Sequence, residues 1–192
     1  MLSGPDRYFK TAPKRSMVEN FARTFLQVAT IWTMFLVLLP WGILWLQSLV
    51  GIPNLDSGAW RTVAVVVFSV AGFTGLTCAW SFVHWGGGTP IPCDQATCFT
   101  IVGPYRYVRN PMALLGILQG LMVALFLGSW PVAVYALLGA AFWEVVARPP
   151  EERDLLRRFG QDYEQYRAAV KCWVPRLTPY PRVVIDPNEH GQ

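Results

Sequence analysis

The chain has 192 residues, 53% of them hydrophobic and only 15% charged, with 9 Trp and a net charge of +4. An ordinary soluble domain carries about 25% charged residues, so the composition excludes a soluble globule, a disordered chain and a disulfide-rich secreted module. It calls for one compact membrane-embedded domain over residues 21–180, between a basic arm at 1–20 and a flexible tail at 181–192.

The arm carries Arg7, Lys10, Lys14 and Arg15. The apolar run after it is too long for a signal-peptide core and has no small-residue cleavage site, so no cleavable leader is expected. Residues 25–50 are almost uncharged and exceed the ~20 residues a bilayer-spanning helix needs. Pro40 should kink this span, because proline removes a backbone donor and clashes with the preceding turn. A second span is expected over 59–85, with Arg61 at one end and His84 at the other. Residues 86–111 form a long loop rich in Gly and Pro, which in a compact protein points to function or disorder. Thr100, Ile101 and Val102 are a candidate extended piece within it.

Asn110-Pro111 reads as a helix start, with Asn as N-cap and Pro at the first helical position. A third span then covers 111–128. After the turn Gly128-Ser129-Trp130-Pro131, a fourth covers 130–147. Gly116 and Gly120 have the spacing that permits close helix contact, inside this hairpin or between subunits. Pro149-Pro150 opens a helix over 151–171. On it Glu152, Leu155, Leu156, Phe159, Tyr163, Tyr166 and Val170 form one stripe, which must bury against the membrane face or the hairpin.

Lys and Arg cluster in the arm, the long loop and the C-terminal segment. Four spans with both termini cytosolic put all of these on one side, as in a multi-pass protein of a bacterial inner membrane. Chemistry is expected on that face. Arg106 and Arg109 beside a helix N-terminus make either an anion site or an anchor to anionic headgroups. Glu151 and Glu152 either cap the helix dipole or bind a cation or a ribose hydroxyl pair. Tyr163 and Tyr166 either fill the core or pack a planar ligand. Glu144 suits an interfacial position, and a lone His84 carries little catalytic weight. Cys93 and Cys98 lack the companions a zinc site needs, so no metal is expected. The basic residues follow topology, which argues against nucleic-acid binding.

The pieces GGGTPIP, GPYRYVRNPM, PPEERDLLRRFGQDYEQY and VPRLTP, in this order around a helical hairpin, resemble the isoprenylcysteine carboxyl methyltransferase and phospholipid methyltransferase superfamily of membrane enzymes. The resemblance covers residues 86–179. It implies S-adenosylmethionine as methyl donor and a lipophilic acceptor arriving from the bilayer: an isoprenyl-linked carboxylate, an isoprenoid or a phospholipid-like molecule. It implies a cofactor site at Tyr105, Arg106, Arg109, Asn110, Pro111, Met112, Glu151, Glu152, Tyr163 and Tyr166. The chemistry of methyl transfer makes Arg109 and Glu152 the catalytic candidates: Arg109, or Arg106, to orient a carboxylate acceptor, and Glu152 as the nearest base for an amine or thiol. Gly160, in the family's Phe-Gly pair, is expected to serve close packing and to break the helix. Many members have His in place of Asn110 and Tyr in place of Ala113, which leaves the acceptor open. Glu151 or Glu152 is expected at the donor's ribose or amino group, since an anion at the reacting sulfonium would favour the ground state. Arg109→Ala and Glu152→Ala are each expected to weaken donor binding without unfolding the chain. A sterol-reductase-type enzyme using NADPH and a non-catalytic relative are the alternatives. Oligomeric state is not legible.

Overall fold

A computed structural model describes residues 13, 15–89 and 97–185. Arg7, Lys10 and Lys14 of the arm, Cys93, the Pro-Ile-Pro of the loop and the last seven residues lie outside them. The elements are α1 (Met17–Leu49), α2 (Trp60–Gly86), β1 (Phe99–Ile101), a 3-10 turn (Gly103–Arg106), α3 (Pro111–Leu127), α4 (Trp130–Phe142), α5 (Arg148–Ala169) and β2 (Val183–Ile185). α4 runs on through a π segment, Trp143–Ala147, into α5 without a break. Its apolar part ends there, because α5 (RPPEERDLLRRFGQDYEQYRAA) is too charged to stay in hydrocarbon. α1, α2 and the α4 portion are long and apolar enough to cross a membrane, and α3 is a shorter apolar helix of 17 residues. The protein is therefore a multi-pass helical membrane protein, and its exposed Phe35, Trp41, Phe73, Leu138 and Phe142 side chains suit a lipid environment.

Prolines shape these helices without ending them. Ahead of Pro40, residues Thr33–Leu38 widen into a π turn, and the Leu39 N–H reaches the Met34 carbonyl. In that register the Phe35 carbonyl would pair with residue 40, which has no N–H. The Tyr135 hydroxyl donates to the Phe35 carbonyl instead, at 3.1 Å. The expected kink is thus a helix widening whose freed acceptor is satisfied from α4.

The chain divides into two compact units, one of Met1–Gln27, Leu76–Pro111 and Val146–Gln192, the other of Val28–Gly75 and Met112–Val145. In the second unit, Gln47 pins the loop after α1. Its amide donates to the Ile52 and Pro53 carbonyls and to Asn54 Oδ1, and it accepts from the Ser129 hydroxyl at 2.6 Å. Ser129 also N-caps α4 by accepting from the Val132 N–H. A Cβ on Gly120 would lie 3.2 Å from the Ala136 Cβ, so this small residue serves contact within the α3–α4 hairpin. Nothing crowds Gly116.

Gly128 has φ +63, and a Cβ there would collide with the Leu55 carbonyl oxygen. The Leu55 N–H donates to the Gly128 carbonyl at 2.7 Å. The two loops are therefore locked backbone to backbone at a position only glycine fits. Gly128→Ala is expected to destabilise the protein by at least ~2 kcal/mol, combining left-handed strain with the clash. Thermal unfolding in lipid nanodiscs would measure it, and an unchanged midpoint would show that the loops yield freely.

The first unit is built differently. β1 and β2 pair antiparallel, Phe99 with Ile185 and Ile101 with Val183. Phe99 and Ile101 pack with Phe159, Tyr163, Tyr166 and Val170 of α5 and its end in a core that Tyr105, Tyr180 and Val183 flank. The helical stripe expected on α5 is thus buried as spaced from Phe159 to Val170, and it packs on the two-stranded sheet. The start of the segment expected to be a flexible tail is strand β2.

Candidate active site

The site residues from the loop and from α5 meet in the first unit. Val102 is extended, Gly103 opens the 3-10 turn in the left-handed region and Pro104 follows it, so the chain reverses within a few residues. The Tyr105, Tyr107 and Val108 N–H groups close this turn. The segment is then stitched to the C-terminal stretch. The Arg109 N–H donates to the Lys171 carbonyl at 3.0 Å, Arg176 to Tyr107 and Tyr180 to Arg106. The Arg106 side chain donates to the Tyr180 carbonyl at 2.6 Å. Arg106 is thereby committed to holding the loop against the C-terminal segment, away from the ionic cluster around Arg109.

That cluster centres on Glu152. Its Oε1 lies 3.0 Å from Arg109 Nη2 and 3.6 Å from Arg148 Nη1, and its Oε2 lies 3.9 Å from Arg167 Nη1. The Arg109 and Glu152 side chains are 11% and 18% exposed, so this pair is largely screened from water. Arg109 also donates to the Arg167 carbonyl, while its Nε is buried with no hydrogen-bond partner among the described residues.

Glu151 is next in sequence but about 100° away around the helix. It is half-buried and forms no ion pair among the described residues. Burial, then the charges of Glu152 and Asp154, push its carboxyl up to about 7. Two adjacent carboxylates thus have opposite environments: Glu152 shared by three guanidiniums, Glu151 facing none.

Tyr163 and Tyr166 are core residues here. Phe99 packs on both, at 6.0 and 5.8 Å between ring centroids, and Tyr180 packs edge-on to Tyr166 at 5.5 Å. The Tyr166 hydroxyl donates to the Tyr105 carbonyl at 2.7 Å, and the Tyr105 ring stands edge-on to Phe82. Burial raises all three phenols above their usual range. Tyr163 and Tyr166 are 1% and 3% exposed, and these contacts fix the loop on α5. Asn110 is half-buried just ahead of α3, Pro111 is fully buried, and Met112 is a half-buried α3 residue of the second unit.

Gly160 is left-handed at φ 49, ψ −123 and bends α5. The helix break expected there is present. The close packing is not, because a Cβ on Gly160 would meet nothing within 4 Å; backbone conformation alone selects glycine. His84 is stacked on Trp80 and edge-on to Trp85, over which the Arg182 guanidinium sits at 4.0 Å.

Sequence reasoning missed Asp154. It is 5% exposed, 2.6 Å from Arg157 and 3.6 Å from Arg158, and Arg158 reaches the Thr97 carbonyl and the Phe159 ring. The i+3 and i+4 spacing of these charges was a readable signal. Among the described residues, no His, Cys, Asp and Glu cluster suits a metal ion.

Fold and cluster together define the class: a helical membrane protein with a half-buried carboxylate–guanidinium cluster beside an aromatic core. The family model for phospholipid methyltransferase matches residues 60–162, more than half of the chain, and the chain belongs to that family. Its members are membrane methyltransferases that use S-adenosylmethionine, which favours this chemistry over a nicotinamide-dependent reductase. The match includes Glu151, Glu152 and Arg109 and stops short of Tyr163 and Tyr166. Comparisons with curated proteins and with solved structures return no match.

Proposed function

We propose that the protein transfers a methyl group from S-adenosylmethionine to the amine of a phospholipid-like acceptor on the cytosolic side, where the first unit's basic residues would lie. The observation that carries this reading is the contrast between Glu152, neutralised by arginines, and Glu151, unpaired and titrating near neutrality.

The residues fit the donor. A buried Arg109 Nε without a partner is a donor suited to its carboxylate, and the Tyr105–Pro111 segment, stitched down at three backbone hydrogen bonds, is a rigid place to hold it. When bound, S-adenosylmethionine supplies an electrophilic methyl group. Glu152 acts by ordering Arg109, Arg148 and Arg167, a different duty from the catalytic one its motif suggested.

An amine acceptor must shed a proton before its lone pair can attack. A carboxyl near pH 7 takes that proton from an ammonium at neutral pH, and Glu151 is the group so tuned. Positioning supplies much of the remaining rate.

The test is incorporation of labelled methyl into lipid by the purified protein in nanodiscs containing phosphatidylethanolamine or an isoprenoid acid. Label in the amine lipid alone is expected. Label in the acid alone would overturn the amine assignment, and label in neither, with the donor bound, would overturn the reading as a lipid methyltransferase.

A further inference from the structure

The first turns of α1 are built inside out. Asn20 and Thr24 are 3% and 5% exposed, whereas Val18, Phe25 and Leu26 are 78%, 65% and 67% exposed. Asn20, Thr24 and Gln27 fall at i, i+4 and i+7, one above another on a single face. Asn20 Oδ1, Thr24 Oγ1 and Gln27 Oε1 are all buried without a hydrogen-bond partner among the described residues. Phe21, one step around the helix, packs edge-on to Trp80 of α2, so this end of α1 is docked on protein.

Three such atoms in a row are costly. A buried polar group left unsatisfied is destabilising, and apolar residues would serve the packing at no such cost. Polar side chains that face a membrane protein's interior mark substrate pathways. The depth is also specific. Arg15 and Arg23 each pair with Glu19, and the uncharged run begins at Thr24. The stripe therefore straddles the level of lipid headgroups.

We infer that Asn20, Thr24 and Gln27 form a hydrogen-bonding ladder that receives the amine-bearing head of the acceptor lipid and selects heads carrying N–H donors. The Asn20 and Gln27 amide oxygens only accept and the Thr24 hydroxyl can accept, so together they suit a donor, and an ammonium presents up to three N–H bonds. This inference rests on the amine reading above. It adds a determinant that discriminates against a fully methylated head, which has no N–H to offer, and so favours release of that product.

The experiment uses the full chain in nanodiscs and the triple variant N20V/T24V/Q27L, with N20V/T24V as a milder second variant. Retention of phosphatidylethanolamine against phosphatidylcholine is read by native mass spectrometry, independently of turnover. Wild type should hold the ethanolamine lipid at least fivefold better, and the variants should lose that preference. Both variants should bind S-adenosylmethionine as wild type does and, without added lipid, unfold at an equal or higher temperature. KM for the amine lipid should rise tenfold or more, with kcat within threefold. Lack of preference in wild type, preference kept in the variants, loss of donor binding, or a lowered unfolding temperature would each overturn the ladder; the last would mean that the stripe is structural. If the preference and its loss are seen but no methyl is transferred, the ladder stands and the methylation reading fails.

Discussion

Glu151→Gln is expected to lower methyl transfer at pH 7–8 by a factor of ~10² or more while making the protein more stable at that pH. The Glu151 carboxyl lies at about 7 in the folded chain against an ordinary 4.5. Folding therefore favours its protonated form. That stabilisation is complete below pH 4.5 and is lost as pH rises through 7, to a total on the order of 3 kcal/mol. Gln keeps the shape and removes the titration. The variant should match wild type near pH 4.5, exceed it near pH 8 and show a flatter stability profile between. Chemical unfolding in nanodiscs at the two pH values checks this, and equal pH dependence in both proteins would show that Glu151 is not the raised group. In catalysis the sign is opposite. The ionised form accepts the proton, so wild-type kcat/KM should fall as pH drops below about 7, and that limb should vanish in the variant.

The membrane helices were legible because a bilayer asks for a simple property, some twenty residues without charge. The helix stripe from Leu155 to Val170 was equally legible from its three- and four-residue steps. Its partner was not. Val183–Ile185 is a short apolar run in a basic, proline-rich tail, and it becomes a strand only by pairing with Phe99–Ile101, far away in the chain. Such pairing leaves no local pattern. Pro40 announced a perturbed helix, but whether the chain would kink or widen depended on Tyr135 being there to satisfy Phe35. Gly160 shows the same limit from the other side: a break was readable, but its cause, a left-handed backbone in open space, was not.

For the site, Arg109, Glu151 and Glu152 were all singled out from the motif, and the structure gathers Arg109 and Glu152 into one ion pair. The different surroundings of the two glutamates were hidden. One helical step of rotation decides which carboxylate meets Arg109 and Arg167, and neither arginine is a sequence neighbour. Arg106 and Arg109 read as equivalent guanidiniums, yet one is spent on the Tyr180 carbonyl and the other on Glu152. The tyrosines were open between core and ligand; the packing of Tyr166 on Phe99 and Tyr180, both distant in sequence, was not readable.

Glu152→Ala should prove more destructive than Arg109→Ala, although both remove the same ion pair. Removing Glu152 leaves the Arg109, Arg148 and Arg167 guanidiniums facing one another without an anion among them. Breaking a buried pair from the side that strands charge costs about 3–5 kcal/mol; Arg167, 42% exposed, relaxes into water and holds the figure to the lower end. Removing Arg109 leaves Glu152 with Arg148 and Arg167 still in reach, so a cost of ~1–2 kcal/mol is expected, including the lost bond to the Arg167 carbonyl. Both variants should bind S-adenosylmethionine at least tenfold more weakly by calorimetric titration. On this argument Glu152→Ala, unlike Arg109→Ala, is expected to cost folding stability as well as donor binding. Unfolding of the two single variants and the double variant in nanodiscs completes the cycle. If Glu152 orders the arginines, the double variant should be no less stable than Glu152→Ala, because removing one of three stranded cations relieves repulsion. A double variant whose cost equals the sum of the singles would show that the three arginines do not share Glu152, and would return it to the role of an independent catalytic group.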